Sequence, residues 1–253
     1  MNPPINTIIC GDSVEVMKQM ESDSIDLIVT SPPYNLRQSS GNCFKTKVPL
    51  KKWKTAAIKN GYENHDDKMP HDLYVKWQRD CLTQMFRLIK DDGAIFYNHK
   101  WRVQNGLMQD RQDIVGGFPV RQIIIWQRSG GINFNDGYFV PTFEVIYLIC
   151  KPKFRLLKKA NSIGDVWRIK PERKNEHPAP FPIELPETII KSTAAKVILD
   201  PFMGSGTTAL AALKLNRGFI GIDNSPAYCD MATKRVNAVL EERRNPRQPE
   251  LPL

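Results

Sequence analysis

Seven short apolar runs punctuate the chain: Thr7–Cys10, Asp26–Val29, Ala94–Tyr97, Gln122–Trp126, Glu144–Cys150, Lys196–Asp200 and Gly218–Asp223. Each is too short for a helix and rich in β-branched or aromatic residues, so each predicts a strand. Several are apolar at both alternating positions, as strands covered on both faces tend to be. Helical spacing lies between many of them. Val14, Met17 and Met20 follow Asp12, a capping residue with Glu15 three positions on. A longer amphipathic pattern runs from Leu73 to Ile89, and Ser225-Pro226 opens a last helix through Tyr228, Met231, Val236 and Leu240. Strand alternating with helix predicts an α/β protein with a doubly wound, mostly parallel sheet.

No internal repeat breaks this pattern. The 253 residues fit one domain, 1–243, better than two. Two stretches read as insertions, 36–70 and 151–176, and the proline-rich end, 244–253, reads as a disordered tail.

Charge adds a partner to the picture. The formal net charge is +9, which favours a polyanion. From Arg37 to Lys59 the basic residues include Lys45, Lys51, Lys52 and Lys54, with Phe44 and Trp53 interleaved and no acid among them. A second basic stretch, Lys151–Lys174, holds Lys158 and Lys159. Lysines neutralise phosphates and aromatic rings stack on bases, so two such segments favour a nucleic-acid groove over a pair of solvated loops. Lys45, Lys51, Lys52, Trp53, Lys54, Lys158 and Lys159 are the expected contacts. The five cysteines have no metal-like spacing and read as reduced thiols of a cytoplasmic protein. No metal site is expected, and no apolar run is long enough to cross a membrane.

Two stretches carry chemistry. In "TSPPYN", Thr30 to Asn35, a strand runs straight into two prolines. Proline fixes φ and pushes its predecessor out of the helical region, so Ser31 and Pro32 are held extended. Tyr34 follows as an aromatic face, and Asn35 reads equally as a supporting group or a turn residue. In "VILDPFMGSGTTALAALKLNRGFIGID" a strand ends at Asp200, a tight loop holds Gly204 and Gly206, and a helix begins near Thr207. Glycines let backbone approach a ligand closely, and a helix N-terminus favours polar or anionic groups. A further strand ends in Asp223, placed to accept from a ribose at about the expected ~20-residue offset. The glycine pattern alone fits any adenosine-containing cofactor, nicotinamide ones included. A P-loop is excluded because no lysine follows the glycines.

Taken together, "TSPPYN" and "DPFMGSGTT" resemble the motifs of S-adenosylmethionine-dependent DNA amino-methyltransferases. The order, catalytic motif first and cofactor loop last, is similar to the permuted β group of that family, as are "GDSVEVMKQM" and "EHPAPFPIELPETII". The resemblance runs from about Ile8 to Leu240. It implies a seven-stranded Rossmann-like sheet and a catalytic set of Ser31, Pro32, Pro33 and Tyr34. It also implies a cofactor site of Asp12, Asp200, Phe202, Gly204, Gly206, Thr207 and Asp223, with His177 and Phe181 at the methionine end. Asp12 reads equally as a helix cap, and His177 as a hinge before a proline-rich loop. His65, His71 and His99 carry no assigned role.

The chemistry agrees with the resemblance. An exocyclic amine is a weak nucleophile because its lone pair is delocalised into the ring. Rigid acceptors aimed at its N–H groups, the Ser31 hydroxyl and the Pro32 carbonyl, free that lone pair with little reorganisation. A base in a duplex must be flipped out to reach them. Serine at the head of the motif and "HPAPFP" lean toward cytosine N4 as the target, with adenine N6 the alternative. An RNA or protein-glutamine methyltransferase usually shows asparagine where Ser31 stands. A non-catalytic DNA-binding module would lose the cofactor residues. Double-stranded DNA is the expected partner; a homodimer and a cognate restriction endonuclease without direct contact are implied by analogy only.

Overall fold

The computed structural model describes residues 2–35, 69–104, 106–128, 136–171 and 182–244. Its strands are β1 (Thr7–Cys10), β2 (Ile25–Thr30), β3 (Ile89–His99), β4 (Arg102–Gln104), β5 (Leu107–Gln109), β6 (Val120–Gln127), β7 (Phe143–Cys150), β8 (Val166–Arg168), β9 (Val197–Asp200) and β10 (Gly218–Asp223). The helices are α1 (Ser13–Gln19), α2 (His71–Leu88), α3 (Gln112–Val115), α4 (Glu184–Lys191), α5 (Thr207–Lys214) and α6 (Pro226–Arg244). Eight strands form one sheet in the order β1-β10-β9-β2-β3-β7-β6-β8, and β4 and β5 form a separate hairpin. Strands β1, β10, β9, β2 and β3 are mutually parallel, and β7 runs antiparallel to both β3 and β6.

All seven strands read from the apolar runs are present. The eighth, β8, lies inside the basic stretch and pairs parallel with β6 at the sheet's edge. Its three residues are exposed or half-exposed, so no apolar run marks it. Helix α4 was not read from the sequence either, because Pro186 interrupts an otherwise amphipathic segment whose Leu185, Ile189 and Ile190 are buried.

Alternate residues of each central strand point to opposite faces. Leu27, Phe96 and Ile198 face a layer formed with Leu185, Ile189, Ala211 and Val236, from α4, α5 and α6. Ile28, Ile95 and Leu199 face a layer with Met17, Tyr74, Leu82 and Ile114, from α1, α2 and α3. That is why the strands are apolar on both faces. Full burial of each such Leu or Ile contributes about 1.5–3 kcal/mol. With helices covering both faces, the carboxyl ends of the five parallel strands are left to form a ledge. Because β7 is reversed, its first residues, Phe143 and Glu144, reach the same edge, just beyond the pairs that Val145 and Ile146 make with His99 and Asn98 of β3.

Candidate active site

The glycine loop forms one half of that edge. Asp200 ends β9 fully inside the protein: its carboxylate accepts from the Thr30 hydroxyl at 2.8 Å, the Thr208 hydroxyl at 2.6 Å and the Phe202 amide at 3.1 Å. Burial nevertheless pushes its pKa up to about 6, against the pull of those donors. Gly204 and Gly206 both have positive φ, +52° and +83°. At Gly206 a Cβ would sit 3.0 Å from the Ala232 methyl, so α6 packs against bare backbone there. Gly206 caps α5 with its carbonyl, and Arg235 of α6 donates to the Ser205 carbonyl at 2.6 Å. Thr207 is buried in the first turn of α5.

Asp223 ends the neighbouring strand β10, half-buried. One carboxylate oxygen accepts from the Gly204 amide at 2.8 Å and the other from the Ser225 amide at 2.9 Å. It thereby shapes the glycine loop as well as marking its rim. Asp12 is exposed at the N-terminus of α1 and accepts from the Val14 and Glu15 amides, so its capping role is in place. The Ser13 hydroxyl donates to the Pro201 carbonyl, joining α1 to the loop. Phe202 packs edge-on against Trp77 of α2, with ring centres 5.6 Å apart. Glycine backbone at positive φ, a helix N-terminus and a carboxylate on the next strand suit a polar nucleoside.

The proline motif forms the other half. Pro33's carbonyl is turned inward, accepting from Tyr74 at 2.8 Å and Gln78 at 3.3 Å. Tyr34 is buried, with 6% of its surface exposed. Its hydroxyl lies 2.5 Å from Ser31 Oγ and donates to Glu144 Oε2 at 3.0 Å. Asn98 Nδ2 reaches the Tyr34 hydroxyl at 2.8 Å, Glu144 Oε2 at 2.9 Å and Ser31 Oγ at 3.3 Å. Arg128 pairs with the other Glu144 oxygen at 3.2 Å. Asn35, at φ +55°, is buried and donates to the Met69 carbonyl, so it braces the motif from behind.

His99 gains a place that the sequence did not reveal. Its ring lies 4.9 Å from that of Tyr34, and its Nε2 is 2.6 Å from the Tyr74 hydroxyl. Burial, and secondarily the Arg111 charge, hold its pKa well below the usual histidine range, so the ring is neutral. Beside Tyr34 opens a cavity of about 170 Å³ lined by Lys100, Trp101, Arg102, Val103, Tyr138 and Pro141. Glu144 and Asn98 were likewise missed as site residues. Asn98 follows an apolar run and reaches Ser31 through the parallel pairing of β3 with β2, whereas Glu144 is brought there by the reversal of β7.

Lys158 and Lys159 are exposed, just before a short 3-10 turn at Ala160–Ser162. Lys45, Lys51, Lys52, Trp53, Lys54, His177 and Phe181 lie outside the described residues. Among the described residues no cluster of metal-ligating side chains is present, and no helix is long and apolar enough to cross a membrane.

A glycine loop at a helix N-terminus that meets the proline motif, on a sheet with one reversed strand, is an arrangement suited to group transfer. The chain belongs to the DNA methylase family N6_N4_Mtase, whose pattern matches residues 25–234. It is therefore a DNA methyltransferase, and the methyl donor of the family is S-adenosyl-L-methionine. It is 28% identical over 283 residues to the type II methyltransferase M.BglII of Bacillus subtilis, covering 95% of this chain and 71% of that one. In fold it is similar to PvuII DNA methyltransferase, described as cytosine-N4-specific, with a TM-score of 0.69, 17% identity, and 94% and 92% of the two chains covered. It is also similar to TTHA0409 of Thermus thermophilus in complex with S-adenosyl-L-methionine, with a TM-score of 0.67, 24% identity, and 92% and 94% covered.

Proposed function

We propose that this protein methylates the exocyclic N4 of cytosine in double-stranded DNA, by direct attack of the amine of a flipped-out base. The observation that carries this reading is the state of Ser31 Oγ. It is a neutral acceptor, fixed by Tyr34 and Asn98 on the ledge beside the cavity. Ser31 Oγ and the Pro32 carbonyl take the two amine hydrogens and draw the nitrogen toward tetrahedral geometry. Tyr34 supplies a ring at the cavity wall for the base, and Pro33, anchored by Tyr74 and Gln78, keeps the acceptors from moving.

The bound donor supplies an electrophilic methyl on a sulfonium. For holding it we assign Asp223 to the ribose hydroxyls, the Gly204–Gly206 backbone and Thr207 to close approach, and Phe202 and Asp12 to the adenosine end. Asp200 acts from inside, by fixing the loop. His177 and Phe181 are proposed for the methionine end. Lys45, Lys51, Lys52, Trp53, Lys54, Lys158 and Lys159 are proposed to hold the duplex by phosphate neutralisation and stacking.

The test is the product. Duplex DNA treated with methyl-labelled S-adenosylmethionine is hydrolysed and its nucleosides are separated by mass spectrometry. Label in N4-methylcytosine alone is the expected result. Label only in N6-methyladenine moves the assignment to adenine, and label in neither points to RNA or protein.

A further inference from the structure

Methylating an amine leaves a proton to dispose of, and the residues around Ser31 are arranged to carry it inward. We infer that Glu144 is the final acceptor of that proton, reached through Ser31 and Tyr34. The inference rests on the amine-methylation reading above.

Hydrogen positions follow from what each group can do. A carboxylate only accepts, so Tyr34's single hydroxyl hydrogen is directed to Glu144 Oε2, 3.0 Å away. The Tyr34 oxygen is then the acceptor in its 2.5 Å contact with Ser31, and the Ser31 hydrogen points at it. Ser31 is left with lone-pair density for an incoming N–H. A continuous directional chain results: substrate N–H to Ser31 Oγ, Ser31 O–H to Tyr34 Oη, Tyr34 O–H to Glu144 Oε2. Asn98 Nδ2 touches all three protein members and holds their spacing. The far end is closed to water, since Tyr34, Asn98 and Glu144 are 6%, 2% and 5% exposed. Arg128 pairs with the second Glu144 oxygen, and Lys100 adds a further positive charge to its surroundings.

The step balances. As the N–C bond forms and the donor's S–C bond breaks, the positive charge passes from sulfur to the amine nitrogen. Its proton moves to Ser31 Oγ, Ser31's proton to Tyr34 Oη, and Tyr34's proton to Glu144. Both hydroxyls end as they began, Glu144 ends neutral, and the nitrogen regains its lone pair. Glu144 acts through two other residues, so it is a positioning and proton-accepting residue that never touches the base.

Single-turnover methyl transfer with saturating duplex and labelled donor tests this in the wild type, Glu144→Gln, Glu144→Asp, Tyr34→Phe and the Glu144→Gln/Tyr34→Phe double variant. General-base contributions suggest that Glu144→Gln and Tyr34→Phe each slow the chemical step by about a hundredfold, with donor and DNA dissociation constants within about twofold of wild type. The double variant should be no slower than the worse single one, because both cut the same chain. Glu144→Asp should recover part of the rate. Infrared difference spectra across one turnover should show a protonated carboxyl band that Glu144→Gln lacks. Should Glu144→Gln fail to fold with Arg128 left unpaired, Tyr34→Phe, which removes an oxygen and no charge, carries the test: it too should be slow and lack the band. A wild-type rate in either single variant, multiplying effects in the double, or no carboxyl band in the wild type would overturn the proton route while leaving amine methylation intact. Absence of label from DNA amines in the wild type overturns the parent reading instead.

Discussion

Thr30 and Asp200 lie 170 positions apart in the chain, yet the Thr30 hydroxyl donates to the Asp200 carboxylate at 2.8 Å inside the sheet. Thr30 leads directly into the proline motif and Asp200 directly into the glycine loop. One hydrogen bond therefore ties the ledge proposed for the amine to the ledge proposed for the donor. Direct methyl transfer demands that kind of fixed mutual placement, because the reacting atoms must be held near attack distance.

Asp200 should also leave a signature in the pH dependence of stability. Its carboxyl, ordinarily near 3.8, is raised to about 6 by burial. Over that window the folded protein holds the proton more tightly than the unfolded chain does. Its contribution is thus complete below the lower value and is lost as pH rises through the upper one. Asp200→Asn keeps an acceptor for Thr30 and cannot ionise. Denaturant midpoints compared with wild type should show the variant lacking the decline between about pH 4 and about pH 6. An identical slope in both proteins would remove Asp200 as its source.

Asp223→Ala should weaken S-adenosylhomocysteine binding by about 1.5–3 kcal/mol, the worth of hydrogen bonds to a charged acceptor. Part of that loss is indirect, because the Gly204 and Ser225 amides lose their partner too. Calorimetry on the folded variant measures it. Unchanged affinity would exclude Asp223 from the donor site.

Gly206→Ala should be more harmful than its single methyl suggests. The position has φ +83°, and the new Cβ would meet Ala232 at 3.0 Å. Backbone strain of this kind costs roughly 1–3 kcal/mol. A lower urea midpoint together with weaker donor binding is expected. Gly204→Ala, at φ +52°, lies nearer the left-handed region that other residues enter, and should lose less stability.

Lys158→Ala with Lys159→Ala should weaken binding to all duplex sequences alike and lower the salt slope by up to about 0.9 per lost phosphate contact. Lys51, Lys52 and Lys54 replaced together should do the same. Titrations at several salt concentrations decide, and a slope equal to wild type would place the substituted lysines away from the duplex.

Tyr34→Ala should cost stability as well as activity. A loop aromatic could be truncated without harm to folding. The observed Tyr34 is buried against His99 and holds a hydroxyl between Ser31 and Glu144. Truncation leaves a cavity and removes a partner from a buried carboxylate, so a stability loss of about 3–5 kcal/mol should accompany the loss of transfer. Thermal unfolding and single-turnover rates together separate the two effects.

The sequence by itself determined the seven principal strands, the cap at Asp12, the rigid double proline after Ser31 and the glycine loop between Asp200 and Asp223. Each of these depends on local physics: apolar periodicity, fixed proline φ, glycine's access to positive φ, and the placing of an acid at a strand end. Only the tertiary structure decided what surrounds Ser31. Asn98 and Glu144 stand 67 and 110 positions from the residues of the motif they touch, each at the end of an apolar strand run that carries no periodic or motif signal of its own. Their meeting depends on the order of the strands and on the reversal of β7 against β3. Strand order is set by how whole faces pack on helices, and that energy belongs to the assembled sheet rather than to any short stretch of chain.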